Sequence, residues 1–260
     1  MPARKLFVPL LLVAFAASFA WSQDSNRDFH WTGKLAPDNV IEIRNINGDI
    51  EAQAASGEEV EVNAEKRGPN ADEVKIEVAK RPDGVVICAI YPNMRDEGNC
   101  EQSEHWHSHD SGEHAKVIFH VMVPADIRFS GKNVNGGVMA EDMGRVVHAV
   151  TVNGSVRVST KSWAQASSVN GSVEVSMGKA DWTDTLKIDS VNGSIHLSLP
   201  SDLNADIRFS SVNGRLESDF PLTVEGSLGG HKVSGRIGSG GRELRVSTVN
   251  GSVELRRNGV

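Results

Sequence analysis

Val152-Asn153-Gly154-Ser155-Val156 returns as Val169-Asn170-Gly171-Ser172-Val173, Val191-Asn192-Gly193-Ser194-Ile195 and Val249-Asn250-Gly251-Ser252-Val253. Looser copies are Ile46-Asn47-Gly48-Asp49-Ile50, Val134-Asn135-Gly136-Gly137-Val138, Val212-Asn213-Gly214-Arg215-Leu216 and Val233-Ser234-Gly235-Arg236-Ile237. Counted at the Asn, or at Ser234, the corners from 135 onward are 18, 17, 22, 21, 21 and 16 residues apart. Self-similarity at this period predicts stacked units, each too small to bury its apolar face alone.

Aligning the copies on Asn gives columns. The residue before it is always β-branched, the residue three after it is always aliphatic, and the residue six before it is apolar. The residue four after it is mostly polar, as at Arg157, Glu174, His196 and Glu217. These are half-buried strands rich in β-branched residues. Asn-Gly between alternating runs is also the strongest short hairpin signal. In a two-residue hairpin, however, the apolar positions one before and three after Asn would point to opposite faces. A chain that bends at Asn-Gly and stacks on itself removes that conflict and returns like residues to like places. The expected fold is therefore all-β: a parallel, right-handed β-helix-like solenoid with a less regular β N-terminal part. An antiparallel meander or sandwich is the alternative.

In such a solenoid the side chains of Asn135, Asn153, Asn170, Asn192, Asn213 and Asn250 are expected to stack as a hydrogen-bonded ladder. Asn153, Asn170, Asn192 and Asn213 are expected one above another. Asn tolerates positive φ, Gly leaves room where the backbone turns, and a Ser hydroxyl caps the bend. The motif has a full structural explanation.

The chain divides, on this reading, into a signal peptide (1–22), a flexible leader (23–38), an N-terminal β part (39–124) and the repeat array (125–257). Arg4 and Lys5 precede an apolar run from Leu6 to Ala20, with small residues suited to cleavage near Ala20 or Ser22. That run is short of the roughly 20 residues of a membrane span, and no later stretch reads as a transmembrane anchor. Localisation is expected outside the cytoplasm, in the periplasm or at the cell surface. Losing Arg4 and Lys5 takes the formal charge from −7 to −9, which argues against nucleic acid as a partner.

Cys88 and Cys100 are the only cysteines and are expected to pair in an oxidising compartment. Between Pro92 and His114 lies an irregular segment with His105, His107, His109 and His114. Imidazoles at this density suit zinc, copper or nickel. A solvated acidic loop is the plainer reading, because zinc sites need preorganised ligands. No cofactor other than such a divalent metal is expected.

The Val-Asn-Gly-Ser-Val repeats, with Ile87-Cys88-Ala89-Ile90-Tyr91-Pro92, Ala180-Asp181-Trp182 and Ser218-Asp219-Phe220-Pro221-Leu222, resemble a bacterial adhesin-like domain family of unknown function. The resemblance runs from about Val40 to Leu255. It implies an exported solenoid at the cell envelope and supplies no catalytic residues.

The expected function is non-enzymatic binding of an envelope protein, surface or polymer through a solenoid face. Metal binding by the His segment is one alternative. A carbohydrate-active β-helix enzyme is another: Glu174 and Glu217, two rungs apart, would be about 9.6 Å apart, near the limit for an inverting pair. Trp163 and Trp182 are candidate sugar-stacking side chains.

Overall fold

The structure is a computed structural model, and it describes residues 28–92, 100, 115–224 and 232–258. Within them, 21 strands form two sheets of ten and eleven strands. The repeats stack in parallel, in register. Each contributes one strand to each sheet, and Asn-Gly is the corner between them. Val147–Asn153 lies in one sheet and Val156–Thr160 in the other. Val147 pairs with Ala164 and Asn153 with Asn170 on the first, and Val156 pairs with Val173 on the second.

The order of the rungs departs from the order of the sequence at both ends. In space the corners run Asn47, Asn135, Asn153, Asn170, Asn192, Asn250, Asn213. Arg242–Asn250 inserts between Leu186–Asn192 and Ala205–Asn213, so Asn213 stands outside Asn250 instead of next to Asn192. Ser234 is not a corner. Its strand, Lys232–Ile237, runs antiparallel along Ala205–Ser210 as an edge cover. At the other end Gly84–Ile90 and Lys116–Val123 form a rung outside the Asn47 rung. Antiparallel strands Lys75–Arg81 and Val60–Arg67 flank that rung.

Two of the expected boundaries are corrected by this topology. The 39–124 part is built into the same two sheets and the same apolar core as the array, so 124/125 is not a structural division. Asp28–Gly33, inside the stretch read as a flexible leader, is a strand paired with Val60–Arg67. Its alternating Phe29 and Trp31 pack against the core.

The core is narrow and aliphatic. The column three after Asn is buried at Ile50, Val138, Val156, Val173, Ile195 and Val253. The column six before it is buried at Ile41, Phe129, Val147, Ala164, Leu186, Ile207 and Leu244. Each fully buried aliphatic side chain contributes about 1.5–3 kcal/mol relative to exposure. The column just before Asn behaves otherwise. Ile46 is buried, but Val152, Val169, Val191 and Val249 are 37–39% exposed and Val212 is 50% exposed. The inward position beside the corner belongs instead to the residue two before Asn.

That residue is a buried polar one in every rung: Asn45, Asn133, Thr151, Ser168, Ser190, Thr248 and Ser211. From Asn133 on, each donates to the corner Gly carbonyl of the adjacent rung. The distances include Thr151 Oγ1 to Gly136 O at 2.8 Å, Ser168 Oγ to Gly154 O at 2.7 Å and Ser190 Oγ to Gly171 O at 2.9 Å. The corner glycines are needed because the stack is close. A Cβ on Gly171 would lie 1.9 Å from Gly154 O. Among these corners only Gly48 and Gly136 have positive φ, and no corner Asn does. The expectation that Asn supplies the left-handed conformation is thus wrong, since the corner Asn residues continue the strands.

Ser168→Ala removes a buried donor and leaves the Gly154 carbonyl unpaired, at a cost of about 1–2 kcal/mol. Ser167→Ala, on the opposite and partly exposed side of the same strand, should cost less than about 0.5 kcal/mol. Chemical denaturation of the two variants is expected to separate them by that margin.

Candidate binding surface

Three features of the surface follow from the stacking. The first is the corner edge. Asn153 Nδ2 donates to Asn135 Oδ1 at 2.8 Å, Asn170 to Asn153 at 2.9 Å, and Asn192 to Asn170 at 2.8 Å. The series continues from Asn250 to Asn192 and from Asn213 to Asn250, both at 2.7 Å. All five bonds point the same way, so each interior amide both donates and accepts. At the far end Tyr91 takes the place that Asn would hold. It lies against the Asn47 carbonyl at 2.9 Å and Asn45 Oδ1 at 3.0 Å. Burial raises the Tyr91 hydroxyl well above the usual phenol range. Beside the amide ladder runs the exposed valine row of Val152, Val169, Val191, Val249 and Val212. At about 4.8 Å per rung it is about 19 Å long.

The second feature is the polar column on the other sheet. Its spatial order is His120, Glu51, Met139, Arg157, Glu174, His196, Glu254, Glu217. Neighbours contact one another: Arg157 forms an ion pair with Glu174 at 3.1 Å, and the His120 and His196 rings lie 3.1 Å from Glu51 and 3.3 Å from Glu254. These pairs are exposed and contribute roughly 0–1 kcal/mol each. A shallow groove of about 340 Å³ crosses four rungs here, lined by Asp49, Glu51, Met139, Arg157 and Glu174. Because the Asn250 rung intervenes, Glu174 and Glu217 are three rungs apart, about 14 Å. That exceeds the spacing of an inverting pair, so the carboxylate pair read from the sequence is not assembled. Trp182 is buried, with Nε1 donating to Glu243 O at 3.1 Å, and Trp163 packs against the core. Neither is set out as a sugar platform.

The third feature is a buried ionic cluster on the outer face near the disulfide. Cys88 and Cys100 are bonded, with Cα atoms 5.7 Å apart. Arg44, in register with Cys88, donates through Nη1 to the Cys100 carbonyl at 3.4 Å and through Nε to Glu42. Lys132 reaches the other Glu42 oxygen at 3.4 Å. Burial pushes the Glu42 carboxyl up, but Lys132 and Arg44 together outweigh it and hold the group below the ordinary range. Burial and the nearby Lys132 lower His148. Glu42, Ser130 and His148 lie side by side on three adjacent strands, a composition that invites comparison with a serine triad. Among the described residues Ser130 Oγ has no hydrogen-bond partner and Glu42 is held by two cations, so the links that would activate a nucleophile are not assembled there.

His105, His107, His109 and His114 lie outside the described residues, as does the apolar N-terminal run. Among the described residues no group of three or more His, Cys, Asp or Glu is placed to hold a metal ion.

Residues 145–256 match the family model described as Toastrack DUF4097. Through that segment, which holds five of the corner rungs, the chain is similar to a domain family of unknown function. Solved structures provide further likenesses. A "putative cell adhesion protein" from Clostridium sporogenes ATCC 15579 shares 10% identity at a TM-score of 0.48, over 89% of this chain and 100% of that one. A "putative adhesin" from Bacteroides fragilis NCTC 9343 shares 12% identity at a TM-score of 0.31, over 90% and 98%. Another from Parabacteroides merdae ATCC 43184 shares 10% at 0.23, over 89% and 97%. Among curated proteins, none matches.

The depressed Glu42 group contributes stability above the unfolded carboxyl value of about 4.3 and loses it as pH falls through the folded value. Glu42→Gln should therefore destabilise the protein by about 1–3 kcal/mol at neutral pH, the worth of hydrogen bonds to a charged group. The gap to wild type should narrow as the pH falls from the unfolded carboxyl value of about 4.3 through the lower folded value, and close once Glu42 is protonated in the folded protein. Melting curves across pH check the sign.

Proposed function

We propose that the protein is a non-enzymatic, exported binding module whose working surface is the corner edge, where an exposed valine row runs beside the amide ladder. The observation that carries this reading is the exposure of five valines in register, at 37–50% each. Beside these five corners the inward place is taken by Ser or Thr, so the apolar row faces outward from the Asn153 rung to the Asn213 rung.

A straight apolar row flanked by evenly spaced amides is suited to an extended partner with a matching repeat, such as a polymer chain or an extended polypeptide of the envelope. Repetition at one spacing lets weak contacts add along the length of the partner. The resemblance to an adhesin-like family agrees with this role. Export is supported by the disulfide between Cys88 and Cys100 and by the basic and apolar pattern of residues 1–22. Catalysis has no assembled constellation among the described residues: the one Ser, His and Glu grouping is unconnected by hydrogen bonds, and the paired carboxylates are too far apart.

Changing Val152, Val169, Val191 and Val249 to Thr preserves shape and strand preference while removing four of the five side chains of the apolar row. The four-fold variant should keep a melting temperature within a few degrees of wild type, as surface changes usually do. In co-sedimentation with isolated bacterial envelopes, wild-type protein should pellet and the variant should stay largely in solution. Equal pelleting of the two, or none by wild type, would contradict the reading.

A further inference from the structure

The two ends of the amide ladder differ, and the difference singles out one residue for chemical modification. Every interior corner glycine spends its N–H on the next rung. Gly154 N donates to Asn170 O, Gly171 N to Asn192 O, Gly193 N to Asn250 O and Gly251 N to Asn213 O, each at 3.1 Å. Gly136 N and Gly48 N do the same at 2.9 Å, to Asn153 O and Asn135 O. Asn213 is the outermost corner, so Gly214 has no rung beyond it, and its N–H has no acceptor among the described residues. Among the described residues, the antiparallel edge strand pairs with Ala205–Asn213 from Ala205 opposite Ile237 to Ser210 opposite Lys232.

The side chain is released in the same way. Interior Asn amides are held at both ends, through Nδ2 and Oδ1. Among the described residues Asn213 is held only through Nδ2, to Asn250 Oδ1. The next strand, Leu216–Ser218, is three residues long and forms the sheet edge, so the corner is clamped on one side alone.

We propose that, of the seven stacked corners, Asn213-Gly214 is the one that deamidates spontaneously in the folded protein and that the stack protects the other six corner Asn-Gly pairs. The Gly214 backbone nitrogen, giving its proton to solvent base, attacks Asn213 Cγ. The new C–N bond closes a five-membered imide, and the side-chain nitrogen leaves as ammonia. Water then opens the imide at either carbonyl, giving Asp or isoaspartate. No reactant other than water is needed. Glycine is suited to this step because no Cβ shields its nitrogen. At interior corners the same attack must first break the N–H bond to the next rung and one or both side-chain bonds. The product at position 213 carries no amide donor for Asn250 Oδ1, so the last bond of the ladder is lost while the other four remain.

The test uses the full chain, incubated in mildly alkaline buffer and followed by peptide mapping with mass spectrometry that resolves Asp from isoaspartate. A parallel sample is held unfolded in urea. In the folded sample Asn213 should convert at least about tenfold faster than Asn47, Asn135, Asn153, Asn170, Asn192 or Asn250, a ratio equivalent to about 1.4 kcal/mol in barrier. In urea the seven rates should come together. An interior corner converting as fast as Asn213 in the folded protein would overturn the proposal. So would the same order of rates in both samples, or no conversion at Asn213 while the unfolded chain converts. Asn213→Gln, whose longer side chain closes its ring poorly, should abolish the fast phase and leave the rest of the map unchanged.

Discussion

Parallel strands in register lie about 4.8 Å apart, and at each corner that spacing brings one rung's glycine against the carbonyl of the next. Nothing larger than hydrogen fits: a Cβ on Gly154, Gly171, Gly193 or Gly251 would lie within about 2.2 Å of a neighbouring carbonyl oxygen. Close approach then fixes the surrounding chemistry. Each glycine carbonyl takes a hydroxyl from the Ser or Thr two before the adjacent Asn, and each interior glycine N–H takes the adjacent Asn carbonyl. The amide side chains, brought into line, complete a third set of bonds outside the backbone. Chains of aligned hydrogen bonds polarise one another, so a corner is held collectively. The same geometry explains where it fails. A terminal rung has no neighbour on one side, and at Asn213 both the backbone and the side chain lose a partner.

Much of this was legible in the sequence, because stacked repeats write their contacts into columns. The aliphatic column three after Asn and the apolar column six before it identified the core, and Asn-Gly identified the corner. The Ser and Thr column two before Asn is not legible in the same way, since a small polar residue in a strand reads as an outward one. Its burial depends on a carbonyl supplied by another rung. For the same reason Val152 and its counterparts read as inward-facing, whereas they are the residues displaced outward. Stacking order was not legible at all. Corners that are chemically alike pair equally well with any other, so the sequence carries no mark that Asn250 should sit between Asn192 and Asn213. Strand Asp28–Gly33 carried a signal in the alternation of Phe29 and Trp31, and its polar neighbours masked it.

The interleaved ends have a consequence for the surface. An open parallel stack exposes unpaired strand edges, which invite association. Here Lys232–Ile237 lies antiparallel over part of one end, and Lys75–Arg81 and Asp28–Gly33 are the outermost strands at the other. Among the surfaces that remain exposed along the length are the valine row with its amides and the charged column on the other sheet. The charged column is internally satisfied, with Arg157, His196 and His120 each matched to a carboxylate. The valine row is apolar and makes no such pairs, which is why we propose it as the working surface.

The rung order is the claim on which the ladder, the carboxylate spacing and the open Asn213 corner all depend, and cysteine pairing reads it directly. Val191, Val249 and Val212 occupy equivalent places on three rungs, so neighbours fall within the 4.4–6.8 Å Cα range of a disulfide and next-neighbours, at about 9.6 Å, do not. Val191→Cys with Val249→Cys, and Val249→Cys with Val212→Cys, should each form an intrachain disulfide under mild oxidation, seen by mass spectrometry of the folded protein. Val191→Cys with Val212→Cys should stay reduced. A bond in that last pair, with none between positions 191 and 249, would mean that the rungs follow sequence order and would contradict the account.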